Sequence, residues 1–427
     1  MFSSIKRTQS RKIFFAILAL LSLLVGVACT QAPTRGWSGP TVSSGLVAAE
    51  DTLFVGTLGG KVIALKNIYE NEDPTSIWGQ GGKGLEIGGT KGGGLFACGS
   101  GISKPMSTYG TPAIAAGKVY IGGYDGHVYS FTTDEGSINV FDTGSSIIGS
   151  PIVADDTLFV GNSDGDLYAL HLDLNRNETE EPKWVFPTGD KIWATPAVFN
   201  GVVYIGSSDH KLYAIDAESG KEIWHFEAEG AFLSTPAIAN DTIYIGACDR
   251  KFYAIDVATD EERQAALTRP EKEAAPSKAA KWVFDKARNW FWTQALVYDD
   301  KVWVGSLDKN VYAISANNPD EYQVVCSTRG VIQTPPVLMV SLNRILVGSE
   351  DGNIWAIDPQ IEGDSGRVLY SEAGAPILAP MYADQEKGIL FFHAQDGTHT
   401  LYALKIEATD KVDELKVTQL WNRRTDK

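Results

Sequence analysis

One segment of this chain recurs eight times, and this repetition constrains the fold more than any other feature. The clearest copy contains Thr195-Pro196-Ala197-Val198, Val203-Tyr204-Ile205-Gly206 and Leu212-Tyr213-Ala214-Ile215-Asp216. The next copy repeats these segments at residues 235–238, 243–246 and 252–256. Each segment is a short run of strand-forming residues bounded by turn formers. A period of about 40 residues with four such strands is typical of a β-propeller. The sequence therefore predicts an all-β fold, an eight-bladed propeller of four-stranded antiparallel blades.

Several residue types recur at fixed places in the repeat. A glycine ends the second strand, with His393 in its place in the last copy: Gly56, Gly122, Gly161, Gly206, Gly246, Gly305 and Gly348. An aspartate follows three residues later: Asp125, Asp164, Asp209, Asp249, Asp308, Asp351 and Asp396. A proline opens the first strand, with Gln294 the exception: Pro40, Pro112, Pro151, Pro196, Pro236, Pro335 and Pro380. Because identical turns of different blades lie far apart, we expect each Asp to bond its own turn rather than join a metal site.

The end of the best copy carries a pattern with a known counterpart. Residues 214–224 read Ala-Ile-Asp-Ala-Glu-Ser-Gly-Lys-Glu-Ile-Trp. This pattern resembles the tryptophan-docking motif of PQQ-like, quinoprotein-type β-propeller repeats, and the resemblance covers about residues 37–422. It implies that the Trp ending the outer strand of one blade packs against the next blade. Five tryptophans have this place, with Phe141, Val325 and Leu369 as substitutes elsewhere: Trp78, Trp184, Trp224, Trp282 and Trp421.

The N-terminus has the pattern of an export signal. A basic stretch ending at Lys12 precedes an apolar run, and Gly26-Val27-Ala28 then precede Cys29. A short apolar core that ends in small residues is typical of a signal peptide. The arrangement resembles a bacterial lipobox, with Gly26 where Leu is usual, and implies that Cys29 is lipidated. The alternative is an uncleaved helix that anchors the chain. Either reading places the protein on the extracytoplasmic face of a cell membrane or outer membrane.

These features divide the chain into a signal peptide at residues 1–28, a tether at 29–36 and a propeller at 37–427. Two insertions interrupt the propeller, at residues 79–107 and 258–280. The first is rich in glycine, and we expect a long loop between the first two blades. The second is charged and rich in alanine, which favours a short exposed helix broken at Pro270 and Pro276. Long excursions of this kind are either functional or disordered.

Charge and cysteine content exclude several classes of function. Residues 1–28 hold four of the 37 Lys and Arg residues and none of the 53 Asp and Glu residues. The rest of the chain therefore has a formal net charge of −20, which disfavours nucleic acid as a partner. With Cys29 lipidated, Cys98, Cys248 and Cys326 remain, and three cysteines cannot all pair with one another. A bridge from Cys98 stays open as an alternative to free thiols.

Motifs of catalysis or metal binding are not apparent. The six histidines show neither helical i,i+4 spacing nor a neighbouring cysteine, and no strand–turn–helix nucleophile elbow, Walker loop or EF-hand is apparent. The dehydrogenases of the PQQ-like family use adjacent cysteines, calcium ligands and a catalytic Asp, and no stretch here matches them. We therefore predict no catalytic residue, no metal and no cofactor. Pyrroloquinoline quinone and calcium enter only under the alternative that the protein is a dehydrogenase.

Aromatic residues collect just ahead of the first strands of three blades. If the first strand is innermost, these residues crowd one mouth of the central channel, where they form a candidate binding surface. The alternative is ordinary packing between blades. The candidates are Trp193, Phe232, Trp290, Phe291 and Trp292.

The expected function follows from the family resemblance and from the features outside the repeat, namely the lipobox and the channel-mouth aromatics. Eight such blades behind a lipobox are similar to the lipoprotein propellers of the outer-membrane β-barrel assembly machine. That similarity implies a non-catalytic, monomeric scaffold, anchored to the membrane by its N-terminal lipid, whose partners are cell-envelope proteins. Two alternatives remain: a quinone-dependent dehydrogenase, and an extracellular receptor for a glycan or peptide that uses the channel-mouth aromatics.

Overall fold

The computed structural model describes residues 45–57, 60–79, 84–87, 107–134, 138–174, 181–395, 400–410 and 414–425. The predicted signal peptide, Cys29, the tether and most of the first insertion lie outside these residues. So do Pro40, Cys98 and Asp396.

Eight antiparallel sheets follow one another along the chain, and each is built from consecutive strands. Blades 1 to 4 contain β1 Leu46–Ala49, β2 Thr52–Gly56, β3 Lys61–Lys66, β4 Thr75–Ser76 and β5 Leu85–Glu86; β6 Ala113–Ala115, β7 Lys118–Gly122, β8 His127–Thr132 and β9 Ile138–Asp142; β10 Ile152–Ala154, β11 Thr157–Gly161, β12 Asp166–His171 and β13 Trp184–Pro187; and β14 Ala197–Phe199, β15 Val202–Gly206, β16 Lys211–Asp216 and β17 Glu222–Glu227.

Blades 5 to 8 continue the same order, with one α-helix and one 3-10 turn (Val340–Leu342) between strands. They contain β18 Ala237–Ala239, β19 Thr242–Gly246, β20 Phe252–Asp256, helix α1 Asp260–Thr268 and β21 Trp282–Phe284; β22 Leu296–Tyr298, β23 Lys301–Gly305, β24 Asn310–Ser315 and β25 Tyr322–Ser327; β26 Val337–Met339, β27 Arg344–Gly348, β28 Ile354–Ile357 and β29 Arg367–Tyr370; and β30 Tyr382–Asp384, β31 Ile389–Ala394, β32 Thr400–Ala408 and β33 Leu415–Arg424. The predicted eight-bladed propeller is confirmed.

The first strand of each blade is the innermost. β1 contacts β6 and β30, β10 contacts β6, and β18 contacts both β14 and β22. These contacts join the first strands into a ring around the central channel. Because the strands of a blade alternate in direction, the start of the first strand, the turn between the second and third strands and the loop from the preceding blade share one face. We call this face, at which the channel opens, the mouth face.

The core lies between the blades rather than within one sheet. The second strands β2, β11, β15 and β19 are buried along their whole length, as expected of strands covered on both faces. One cluster joins Trp224 of blade 4 with Ile243 and Tyr253 of blade 5. Each blade thus packs apolar side chains against both of its neighbours.

The recurrent glycine leaves room for the next blade. A Cβ built on any of the seven glycines would lie only 2.1–2.6 Å from a side-chain atom of a residue in the segment ahead of the next first strand. The facing residues are Thr108, Ile147, Ile192, Phe232, Phe291, Ile332 and Ile377. Since real Cβ atoms do not approach so closely, only glycine allows this contact. His393, which takes the glycine's place in blade 8, is fully buried.

The recurrent aspartate builds the turn between the second and third strands. In blade 4, Asp209 accepts hydrogen bonds from the Lys211 amide (3.0 Å), the Tyr213 hydroxyl (2.6 Å) and the Gly189 amide of the incoming loop. Asp125, Asp249 and Asp308 likewise accept from the tyrosine four residues later. In blade 3 the side chain of Asn162, not that of Asp164, accepts the turn amides. The described aspartates other than Asp164 therefore bond their own turns, as predicted, whereas Asn162 has this role in blade 3.

Strand register changes which residues hold the place of the recurrent proline in blades 6, 7 and 8. Leu296 pairs with Trp303 as Ala237 pairs with Tyr244, so Ala295 takes the place of Pro236. By the same register Pro336 and Met381 take this place in blades 7 and 8. Gln294, Pro335 and Pro380 therefore stand one position earlier, where blades 4 and 5 have threonine. A one-residue shift moves a side chain to the other side of a strand, so these three residues face the channel.

The two predicted insertions are partly integrated into the blades. Leu85 and Glu86, which lie in the first, pair with Val62 and Lys61 as a second part of the outer strand of blade 1. In the second, the predicted helix is present as α1, which begins with a capping box at Thr259 and Glu262. The segment after α1 then bonds the outer strand of blade 4, through the Pro276 and Lys278 backbones on either side of His225.

Candidate binding site at the channel mouth

A cavity of about 100 Å³ lies where the first strands begin, and seven successive blades line it. Its wall consists of two residues per blade, taken from the segment ahead of the first strand, with a few backbone neighbours. The lining residues are Tyr109, Gly110, Thr111, Ile148, Gly149, Ser150, Trp193, Thr195, Leu233, Thr235, Trp292, Thr293, Gln294, Gln333, Pro335, Leu378 and Pro380. The cavity is therefore the product of the repeat, yet its side chains differ from blade to blade.

The structure divides the five predicted aromatic residues into two groups. Trp193 and Trp292 line the cavity. Phe232 and Phe291 are fully buried between blades, where they face Gly206 and Gly246. Trp290 is half-buried and lies outside the cavity wall, with its carbonyl accepting from the Leu307 amide. The structure thus brings two of the five together at the channel, and the two buried phenylalanines pack between blades.

Alternation along the chain explains this division. In each pair of neighbouring residues ahead of a first strand, one side chain packs against the preceding blade and the next turns to the channel. Ile192 faces Gly161 whereas Trp193 lines the cavity, and Phe291 faces Gly246 whereas Trp292 lines it. The same rule adds Leu233, Gln333 and Leu378 to the site. They are absent from the sequence prediction because it was based on aromatic residue type and not on the position in the repeat.

A ring of small hydroxyl residues supports the wall. The Thr111 amide donates to the Ser150 hydroxyl of the next blade (2.8 Å), and the Ser150 amide donates to Thr195 Oγ1 (2.9 Å). Thr235 occupies the equivalent place in blade 5. The recurrence of Thr or Ser before the strand-opening proline was the sequence signal that could have located this ring.

The lining of the cavity is uncharged, although the protein is strongly acidic. None of the described lining residues is Asp, Glu, Lys, Arg or His. By contrast, the turns between first and second strands, on the opposite face, hold many carboxylates: Glu50, Asp51, Asp155, Asp156, Asp241, Asp299, Asp300 and Glu386. A charged ligand would find no counter-ion within the cavity lining, so the cavity favours a neutral one.

Two polar atoms in this wall are buried without a hydrogen-bond partner among the described residues, namely Trp193 Nε1 and Thr293 Oγ1. Thr293 is 3% exposed. Buried polar groups are nearly always paired, with protein, water or ligand. Both atoms have less than 1 Å² of accessible surface, so they lie within the wall and are not open to a ligand in the cavity.

The tryptophans of the outer strands lie away from the mouth, at the seams between blades. Trp184, Trp282 and Trp421 each donate through Nε1 to a carbonyl of the following blade, at Ala217 (3.0 Å), Ala316 (2.9 Å) and Ile68 (2.9 Å). Trp78 packs on Phe131 of blade 2, with ring centroids 5.4 Å apart, and Trp224 packs in the cluster shared with blade 5. They hold the ring together.

The described ranges hold no candidate metal site, membrane span or reactive thiol. There, no three His, Cys, Asp or Glu side chains come close enough to hold a metal ion. The described helices are also too short or too polar to span a membrane. The thiols of Cys248 and Cys326 are free, and burial raises the pKa of each to about 12, so neither is a reactive thiolate at neutral pH.

The sequence matches the family model described as outer membrane protein assembly factor BamB, over residues 101–179 and 171–318. These ranges together span half of the chain and include all of blades 2 to 5. The chain belongs to this family. A comparison with curated proteins finds no match.

Solved structures of BamB-like and designed propellers share the fold. BamB from Moraxella catarrhalis has a TM-score of 0.59 and 15% sequence identity, with 83% of this chain and 92% of that chain covered. The computationally designed Ika8 protein has a TM-score of 0.60 and 14% identity, with 84% and 95% covered. At such identities the likeness concerns the fold, and a natural and a designed protein carry it equally well.

Proposed function

We propose that this protein is a non-catalytic scaffold that binds cell-envelope proteins through the mouth face of its propeller. Membership of the BamB family supports this role, because the family is described as an outer membrane protein assembly factor. The proposal extends to outer-membrane protein assembly. The structural observation that supports the scaffold role is the mouth of the channel. There the repeat forms an uncharged ring of side chains that differ between blades, with Trp193 and Trp292 at its rim.

The mouth has the composition of a protein-binding centre. Tryptophan and tyrosine dominate the energetic centres of protein interfaces, and charged residues are depleted there. Trp193, Trp292 and Tyr109 are half-buried around the cavity, so each retains surface for a partner. Loops of the mouth face around this centre carry both signs of charge, such as Lys191, Glu229 and Arg329, and supply a polar rim.

We also propose that a lipid on Cys29 holds the propeller at the extracytoplasmic face of a membrane. The support is the sequence: the basic stretch, the apolar run and the small residues before Cys29. Thr30 follows, where an Asp would signal retention in the inner membrane, so in a cell with two membranes the outer one is favoured. Labelled fatty acid tests the anchor. A product that stays unlabelled and free in the medium would exclude it.

The proposal includes no cofactor. Pyrroloquinoline quinone bears three carboxylates, and the described lining of the channel cavity has no Lys, Arg or His to pair with them. It has no Asp or Glu to bind calcium either. The residues present therefore do not fit this group, and the dehydrogenase alternative has no support at the channel.

Site-specific photo-crosslinking in native membranes tests the scaffold role. A benzophenone amino acid at Gln294 or Gln333 probes the mouth, and the same group at Asp300 probes the opposite face. We expect cell-envelope proteins to be captured from the mouth positions and not from Asp300. A mouth that captures no protein, together with a bound sugar released from the purified chain, would replace the scaffold by a glycan receptor, which the two tryptophans at the rim also suit.

A further inference from the structure

The outer strand of blade 7 has an arginine at the place of the docking tryptophan. In four other blades this tryptophan pairs with an alanine of the third strand, namely in the pairs Ala169–Trp184, Ala214–Trp224, Ala254–Trp282 and Ala403–Trp421. In blade 7 the alanine is Ala356, and its partner is Arg367. Leu369, which the sequence indicated as the substitute, lies two residues farther along the strand.

A cavity of about 340 Å³ lies against Ala356, at the seam between blades 7 and 8. Ile361, Val368 and Leu369 of blade 7 and Leu415 of blade 8 form its apolar wall. Because cavities of about 150 Å³ hold a benzene ring, this one has room for a larger aromatic group such as an indole. The space beside this alanine, which the docking tryptophan fills in other blades, is therefore open in blade 7.

Exposed apolar residues continue outward from this cavity. Of the nine large apolar residues that are exposed within the described ranges, five lie in blades 6 and 7: Tyr322, Val324, Val340, Ile361 and Val368. Ile361 is 46% and Val368 is 48% exposed, and both line the cavity. Exposed apolar patches mark interaction sites. A small aromatic molecule would fill the cavity and leave the rest of this patch in water, whereas a protein surface covers both.

Arg367 supplies a positive charge at the edge of the cavity. Its side chain is exposed, and its described hydrogen bond goes to the carbonyl of the neighbouring Gly366 (2.8 Å), without a carboxylate partner among the described residues. A guanidinium group stacks well on an aromatic face. Blade 4 already contains such a contact, because Lys278 Nζ lies 5.4 Å from the ring centroid of the docking Trp224.

We infer that the cavity between blades 7 and 8 receives an aromatic side chain from an exposed segment of a partner protein. The ring lies on Ala356, as the docking tryptophan lies on the equivalent alanine in other blades. Arg367 contacts its face, and Val368 and Leu415 contact its edges. The fourth strand begins at the face opposite the mouth, so this rim site is separate from the mouth and adds a second contact to the proposed scaffold.

Placing a tryptophan at Arg367 tests the identity of the occupant. The probe is the end-blocked tripeptide Gly-Trp-Gly with fluorotryptophan, titrated against the full-length protein and followed by fluorine NMR. We expect a Kd of about 1 mM, and at least fivefold weaker competition by Gly-Leu-Gly. In Arg367→Trp the chain fills its own cavity, so the tripeptide should bind at least tenfold more weakly while the urea midpoint is kept or raised.

Two further variants make this titration specific. Arg329→Trp adds a tryptophan at an arginine of the mouth face and should bind the tripeptide like the wild type. Arg367→Gln keeps the cavity but removes the cation, and should bind about threefold more weakly. Equal competition by the two tripeptides, or wild-type binding in Arg367→Trp, would overturn the inference.

Photo-crosslinking in native membranes tests the partner. Val185 has the same place in the outer strand of blade 3 as Val368 has in blade 7 and is 41% exposed, but Trp184 fills the seam beside it. With a benzophenone amino acid we expect a protein adduct from Val368 and none from Val185, joined within a few residues of a Trp, Tyr or Phe of the partner. No adduct from Val368, an adduct with a second copy of this chain, or a joined segment without an aromatic residue would overturn the inference.

The rim site and the mouth can fail separately. Crosslinkers at Gln294 and Gln333 that capture no protein would remove the scaffold role of the mouth, but the tripeptide titration and the Val368 adduct do not involve these positions. Wild-type binding of the tripeptide to Arg367→Trp would remove the rim site alone and leave capture at the mouth unchanged.

Discussion

Trp421 Nε1 donates a hydrogen bond of 2.9 Å to the carbonyl of Ile68, which lies 353 residues earlier in the chain. The bond joins blade 8 to blade 1 and closes the ring. None of the described strands is shared across this seam, because blade 8 is built from β30 to β33 and blade 1 from β1 to β5. Among the described residues, side chains hold this seam, including the Trp421 bond, the apolar cluster around it and the Tyr69–Asp384 hydrogen bond of 2.7 Å.

We expect Trp421→Ala to destabilise the protein by about 3–5 kcal/mol, since it removes a large buried side chain. The loss should appear as faster hydrogen exchange in blades 1 and 8 together, although these are the ends of the fold in sequence. Trp184→Ala is the control, because Trp184 makes the same kind of bond to Ala217 at an internal seam. There, faster exchange should be confined to blades 3 and 4. Equal exchange patterns for both variants would contradict closure by Trp421.

The recurrent glycine should tolerate no side chain unless the facing residue is shortened. In Gly305→Ala the new Cβ would lie 2.4 Å from Ile332 Cγ2 and 3.1 Å from its Cβ. We expect a loss of about 1–3 kcal/mol from overpacking, and about 2–5 kcal/mol for Ile332→Ala alone. The double variant should lose clearly less than both losses combined, because each change relieves the other. Denaturant unfolding of the four proteins measures this coupling, and strict additivity would argue against the contact.

The Tyr–Asp pair of the turn predicts a further difference between blades. Tyr213→Phe removes a hydrogen bond to the Asp209 carboxylate, and bonds to charged groups contribute about 1.5–3 kcal/mol. Tyr168→Phe removes a bond of 3.1 Å to the neutral Thr143 carbonyl and should cost about 1 kcal/mol. Burial and the Asp209 hydrogen bond both raise the pKa of Tyr213, so its phenol stays protonated at neutral pH. Equal losses in urea unfolding would show that the carboxylate adds nothing.

The fold was predictable because the residues that each blade requires recur at fixed places along the chain. Gly206, Asp209 and Tyr213 each have counterparts at the same place in other copies of the repeat, and each place corresponds to one contact within or between blades. The side chains at the mouth were less predictable, because neighbouring residues such as Ile192 and Trp193 face opposite sides. Only strand register decides between them, and register depends on pairing with a second strand.

Packing of the second insertion was not predictable at all. The sequence indicated a helix at α1 but not its partner, since Asp216 lies in blade 4 and Arg263 lies in an insertion of blade 5. A contact made by an insertion occurs once in the chain, so no recurring residue pattern indicates it. The structure shows that Arg263 Nε donates to Asp216 Oδ2, and that Asp216 is 1% exposed.

This ion pair predicts an acid-dependent loss of stability. Burial alone would raise the pKa of Asp216, but hydrogen bonds from Ser219 and Arg263 outweigh it and lower the pKa below its usual value. A carboxylate with a lowered pKa in the folded state contributes stability that is complete above its unfolded pKa of about 3.9 and is lost as pH falls through the folded value. We therefore expect part of the stability to disappear below about pH 4, with the helix α1 segment released first.

Asp216→Asn tests this relationship, because it keeps the shape and removes the titrating group. We expect lower stability at neutral pH, where Arg263 loses its partner, and a shallower decline between about pH 4 and pH 2 than in the wild type. Asp320→Asn, which removes an exposed carboxylate from a loop of blade 6, serves as the control and should follow the wild-type curve. Urea unfolding at each pH, read with hydrogen exchange of residues 260–268, gives both quantities. A wild-type slope in Asp216→Asn would assign the acid sensitivity to other carboxylates.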